Sequence, residues 1–115
     1  MCLLQLCWYH DFIFTEKPFF HKEPQDAVAL IGQRVIFHCS VGGEPTPTVL
    51  WHHENGKIPI GRARILDDKS LLVDSVQPAD EGLYICQADN IVGTISAKAS
   101  LVVQCKIVER ECTYS

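Results

Sequence analysis

The chain has 115 residues, enough for one domain and too few for two. Its net charge of -4, from 10 basic and 14 acidic residues, argues against nucleic acid, whose phosphates select a basic face, and against a polybasic membrane anchor. Nearly half the residues are apolar, so a packed core is within reach, and six cysteines in so short a chain point to an oxidising compartment.

The first segment, residues 1–16, is atypical. MCLLQLCWYHDFIF is apolar but short, and Gln5, His10 and Asp11 interrupt it, so it does not span a membrane. No Lys or Arg precedes Lys17 and no A-x-A site follows, which sets it apart from a secretory signal. It reads as a foreign or truncated leader outside the fold. Residues 17–104 read as one domain, and 105–115, CKIVERECTYS, as a short polar tail.

Inside the domain the apolar period is two, the mark of half-buried strands. Val35, Phe37 and Cys39 share one face while Arg34, Ile36 and His38 take the other. Val49 with Trp51, Leu71 with Val73, and Tyr84 with Cys86 and Ala88 continue the pattern. The longest run is Ile95, Ala97, Ala99, Leu101 and Val103, with Thr94, Ser96, Lys98 and Ser100 facing water. Turn residues separate these runs: Gly42 to Pro47, Asn55-Gly56 as a hairpin signal, Asp67-Asp68, and Asn90 to Gly93. Residues 52–69 have room for a turn, a brief C′ strand and strand D, and none for a C″ strand. No helical period competes, so the fold class is all-β.

The order Cys39, Trp51, then Asp80-x-Gly82-x-Tyr84-x-Cys86 is that of an immunoglobulin-like Greek-key β-sandwich. Each member has a physical task. Cys39 and Cys86 face inward from strands B and F of opposite sheets, where a disulfide can bridge the layers. Trp51 covers that bridge with apolar surface. Tyr84 is placed to bond upstream backbone as a tyrosine corner, Gly82 permits the tight E–F turn, and Asp80 is expected to pair with Arg62 or Arg64. The bridge closes a loop of about 46 residues, worth roughly 4 kcal/mol in the chain-entropy model. The rival reading is two free buried cysteines in an intracellular structural repeat of the muscle type. Six cysteines allow fifteen pairings, and spacing leaves the fates of Cys2, Cys7, Cys105 and Cys112 open.

The stretches GQRVIFHCSVGGEPTPTVLW, IPIGRARILDDKSLLV and QPADEGLYICQADNIVGTISAKASLVV, in that order, resemble an I-set domain of the Roundabout (Robo) receptors, most of all a third immunoglobulin domain of invertebrate type. The resemblance covers residues 17–104. It implies an extracellular module of a single-pass cell-surface receptor for axon guidance that responds to the secreted ligand Slit. In that family the first immunoglobulin domain holds most of the ligand, so a third domain is expected to be a spacer or a surface for receptor contacts. The two end segments match nothing in the family, and the chain reads as a fragment of a longer one.

Chemistry has little support in the sequence. His52 and His53 are adjacent on a strand and point to opposite faces, His38 faces outward from the other sheet, and His10 and His21 lie elsewhere. No C-x-x-C pair or histidine triplet marks a metal site. No G-x-S-x-G elbow or comparable nucleophile motif is present, so no catalytic residue and no cofactor are expected. Asp67, Asp68 and Asp74 read as a solvated turn rather than a calcium cluster. No N-x-S/T sequon is present, which leaves the faces open to protein contact. The candidate protein-binding residues are Leu50, His52, Ile85 and Gln87, on the outer face of the sheet carrying strands C, F and G. A second candidate, for heparan sulfate, is the basic set Lys57, Arg62, Arg64 and Lys69, weakened by neighbouring Asp67 and Asp68.

Overall fold

A computed structural model describes residues 14–59, 61–108 and 111–113. Most of the leader, with Cys2, Cys7 and His10, lies outside these residues, as does Ile60. The elements are β1 (Glu16–Lys22), β2 (Ala27–Leu30), β3 (Val35–Phe37), β4 (Ser40–Glu44), β5 (Thr48–His53), β6 (Ala63–Ile65), β7 (Leu71–Val73), a 3-10 turn (Pro78–Asp80), β8 (Gly82–Asp89), β9 (Thr94–Gln104), β10 (Lys106–Val108) and β11 (Glu111–Thr113). One layer is the four-stranded sheet β2-β9-β8-β5. The other is β3-β7-β6, extended past Cys39 by β4, which pairs with β1. Among the described residues, only β2 runs parallel to its neighbour, β9; the other pairs are antiparallel.

Alternation decides what is inside. Val35, Phe37 and Cys39 of one layer meet Trp51, Tyr84, Cys86, Ala99 and Leu101 of the other, with Leu71, Val73 and Val76 closing the core. Phe37 stacks on Tyr84 at 5.2 Å between ring centroids and lies 6.4 Å from Trp51. Cys39 and Cys86 are bonded, with their Cα atoms 6.5 Å apart. Trp51 is directly opposite Cys86 in the β5–β8 ladder, so both point into the core together. The buried indole N–H of Trp51 donates to the Lys69 carbonyl at 2.8 Å, which pins the β6–β7 turn at a non-glycine residue with φ of 73°. That bond satisfies a donor that would otherwise be costly to bury.

Several local expectations change. The stretch from Gly42 to Pro47 is not all turn, because Ser40–Glu44 forms β4 against β1. The glycines that suggest a turn serve a close approach instead: a Cβ on Gly42 would sit 2.5 Å from Phe19 Cζ and 2.8 Å from His21 Nε2. Among the described residues, 52–69 hold β6 but no C′ strand. Gly56 N–H closes the turn on the His53 carbonyl at 2.7 Å, and Pro59, lacking an N–H, cannot donate to a returning ladder. Glu16 belongs to β1 rather than to a leader. The tail contains the β10–β11 hairpin, with Cys105 bonded to Cys112.

Candidate protein-contact face

The outer surface of β2-β9-β8-β5 brings the four candidate binding residues together. Leu50 is directly opposite Gln87 and His52 is directly opposite Ile85, so they form a two-by-two block across β5 and β8. Lys98 and Ser96 of β9 extend these rows. Leu50 is 47% exposed at the block's edge, whereas Ile85 and Gln87 are half-buried by their neighbours. Gln87 Nε2 donates to both Asp89 carboxylate oxygens, at 3.1 and 3.3 Å. Hydrogen bonds from the Thr94 side chain, then from Gln87, hold the Asp89 carboxyl below the usual carboxylate range, and His52 adds to the effect. The face therefore carries one fixed negative charge and one lysine beside its aliphatic residues.

The apolar surface reaches further than β5 and β8. Val28 of β2, 65% exposed, lies opposite Val102 of β9, 41% exposed, and Leu83 sits opposite Ser100 between them and the block. The signal was in the alternation: Val28 and Val102 are out of phase with the buried Ala29 and Leu101.

What holds this sheet in place is the corner before β8. Arg62 donates through both terminal nitrogens to Asp80, at 2.5 and 2.7 Å, and through one of them to the Ser75 carbonyl at 3.1 Å. Asp80 Oδ2 also accepts the Gln77 N–H at 2.8 Å. Burial by itself pushes the Asp80 carboxyl up, but the hydrogen bonds from Arg62 and Gln77, with the Arg62 charge, outweigh it and hold the carboxyl below its ordinary value. The hydrogen bond to Asp80 likewise raises Arg62. Tyr84 hydroxyl donates to the Asp80 carbonyl at 2.6 Å, and burial pushes its pKa up to about 12, so it stays a donor. Gly82 takes a φ of 137°, where a side chain is strained. Of the two arginines considered for Asp80, Arg62 makes the pair.

That pair weakens the basic candidate. Arg62 is neutralised by Asp80, and Arg64 lines a shallow cleft with Asp67 and Asp68. Lys57 lies on the turn after β5 and Lys69 on the turn before β7, so the four cations alternate with acidic groups rather than forming one positive surface. The histidines are dispersed. His52 faces outward, His53 is buried against Tyr84, His38 approaches Ser70 Oγ at 3.1 Å, and His21 packs edge-on to Phe19. Among the described residues no three His, Cys, Asp or Glu side chains could hold a metal ion, and no helix is long and apolar enough to cross a membrane. Asp68 accepts the Ser70 N–H, and Asp74 pairs with Arg34 at 3.4 Å.

A family model, the immunoglobulin I-set domain, matches residues 18–103, which include the Cys39–Cys86 bridge, Trp51 and the Tyr84 corner. The chain belongs to the immunoglobulin I-set family. Among curated proteins this I-set domain is 44% identical over 90 residues to Protein sax-3 of Caenorhabditis elegans, covering 77% of the chain and 7% of that protein. It is 42% identical over 93 residues to human Roundabout homolog 3, covering 81% of the chain and 7% of that protein. The chain thus spans less than a tenth of the length of these relatives. Among solved structures, the titin M3 domain superposes with a TM-score of 0.72 at 30% identity, covering 77% of this chain and 98% of that one. Drosophila OTK extracellular domains 3-5 give 0.73 at 28% identity, covering 78% and 32%. The immunoglobulin I-set family is a non-enzymatic one.

Proposed function

We propose that this I-set domain is an extracellular protein-binding module of a Roundabout-type receptor for axon guidance, serving as a spacer or as a receptor-contact domain. The observation that carries the reading is the Leu50, His52, Ile85 and Gln87 block: exposed aliphatic surface with polar neighbours, mounted on a disulfide-closed core. The likeness to sax-3 and Roundabout homolog 3 supports the receptor class. Neighbouring immunoglobulin domains and receptor ectodomains are the partners of choice. A Slit-type ligand is the secondary one, because the resemblance to a third immunoglobulin domain implies a position away from the main ligand site. Heparan sulfate ranks below both, since Asp80 neutralises Arg62.

The test is surface plasmon resonance of the full chain against Roundabout-type ectodomains and a Slit ligand, with Leu50→Asp beside the parent. Binding should weaken about tenfold or more in the variant, as for an anchor at a contact centre. Ile36→Asp, on the opposite sheet, should leave it unchanged. Equal affinity for parent and Leu50→Asp would remove this face as the contact surface. Absence of binding to every partner would leave the spacer role.

A second reading, an intracellular structural I-set repeat, is favoured by the titin neighbours. The state of Cys39 and Cys86 separates the two.

A further inference from the structure

We propose that the turn after β5 is a site of self-modification, at which Asn55 loses its side-chain amide to attack by the backbone nitrogen of Gly56 and becomes aspartate or isoaspartate. The turn is exposed, and Gly56 has a φ of 84° with open space where a Cβ would lie, so no side chain obstructs ring closure onto Asn55. Asn55 Oδ1 accepts the Lys57 N–H at 3.0 Å, which identifies that atom as oxygen. The buried His53 uses Nε2 to donate to the Glu81 carbonyl at 3.2 Å and Nδ1 to accept the Asn55 N–H at 3.3 Å, which fixes the backbone of the turn beside the amide. The Lys57 N–H on Oδ1 stabilises the negative charge that builds there as the nitrogen attacks Cγ. The departing group, Nδ2, makes no hydrogen bond among the described residues. One feature opposes the step: Gly56 N–H donates to the His53 carbonyl at 2.7 Å and must release it first.

The steps balance without a cofactor. Gly56 N gives its proton to solvent base and bonds to Asn55 Cγ, and Nδ2 leaves as ammonia, closing a five-membered imide. Water then opens the imide at one of its two carbonyls, yielding aspartate or isoaspartate. One water is consumed and one ammonia is released.

Asn90, the other asparagine of the chain, is the internal control. Its Nδ2 donates to the Glu16 and Pro45 carbonyls at 2.8 and 3.1 Å. Its Oδ1 accepts the Val92 and Gly93 N–H groups at 2.9 and 3.1 Å, and the β-branched Ile91 follows it. Both ends of its amide are held, and its neighbour is bulky.

The product alters more than one residue. His53 packs on Tyr84 at 4.5 Å and approaches the Glu81 carbonyl at 3.2 Å. A new carboxylate, or the extra backbone carbon of isoaspartate, therefore acts on the corner before β8 and on the end of β5 that carries His52.

The experiment is incubation of the folded full chain at physiological pH and temperature. Peptide mapping by mass spectrometry and isoaspartyl methyltransferase labelling report each asparagine. Conversion should be at least about tenfold faster at Asn55 than at Asn90, a barrier lower by about 1.4 kcal/mol. Gly56→Ala, checked by thermal melting to be folded, should slow it. Equal rates at the two asparagines of the folded parent would overturn the proposal, whatever the variant does. Undiminished conversion in a folded Gly56→Ala would also overturn it.

Discussion

A Cys86→Ala variant is expected to lose about 4 kcal/mol of stability, the largest effect of any single substitution considered for this domain. Cys39 and Cys86 are separated by 47 positions, so the bond removes a long loop's worth of freedom from the unfolded chain. The native side adds to the loss, because both residues are fully buried beside Trp51 and truncation leaves a void and an orphaned thiol. Against a total margin of about 5–15 kcal/mol for a domain of this size, such a change brings the chain close to unfolding. Urea titration of parent and variant, followed by tryptophan fluorescence, measures it. The midpoint should fall sharply, with a slope raised by the more expanded unfolded chain. A loss below about 1 kcal/mol would mean that packing, not the bond, supports the two layers.

Asp80→Ala is expected to cost about 3 kcal/mol. The carboxylate binds Arg62 through two nitrogens and takes the Gln77 N–H, so its removal leaves both without a partner. The figure lies at the low end for breaking a buried pair, because the Arg62 side chain is 31% exposed and regains water. Asp80→Asn keeps the shape and isolates the charge. The folded-state pKa of Asp80 lies below its unfolded value of about 3.9. Its contribution is therefore present above the unfolded pKa and is lost as pH falls through the folded one. In urea titrations across this acid range, the gap between parent and Asp80→Asn should be widest near neutrality and close as the carboxyl protonates. A gap that did not change with pH would assign the stabilisation to the hydrogen-bond acceptors that the amide lacks rather than to charge.

How much of this was legible in the sequence follows from which interactions are local. The inward series 35, 37, 39 and 84, 86, 88 needs only the two-residue period of a strand, and every one of these side chains is buried. The spacing of Tyr84 from Asp80 likewise places its hydroxyl on a carbonyl four residues upstream. What stayed hidden depends on distant chain. Gly42-Gly43 looks like a turn until Phe19 arrives from β1 to lie against Gly42. The choice of Arg62 over Arg64 for Asp80 is settled by how the chain enters β6, which no spacing reports. The contact face is legible in the sequence only where β5 and β8 alternate. Val28 belongs to β2, and only its parallel pairing with β9 places it beside Val102. The Cys105–Cys112 bond was equally unreadable, since six cysteines give no preference among pairings.

The extracellular assignment is tested most directly by the oxidation state of Cys39 and Cys86 in protein taken from its own tissue. Alkylation under denaturing, non-reducing conditions, followed by peptide mapping, should recover the two cysteines as one linked peptide pair with no label on either. Recovery of both as labelled thiols would contradict the receptor reading and support the intracellular structural repeat.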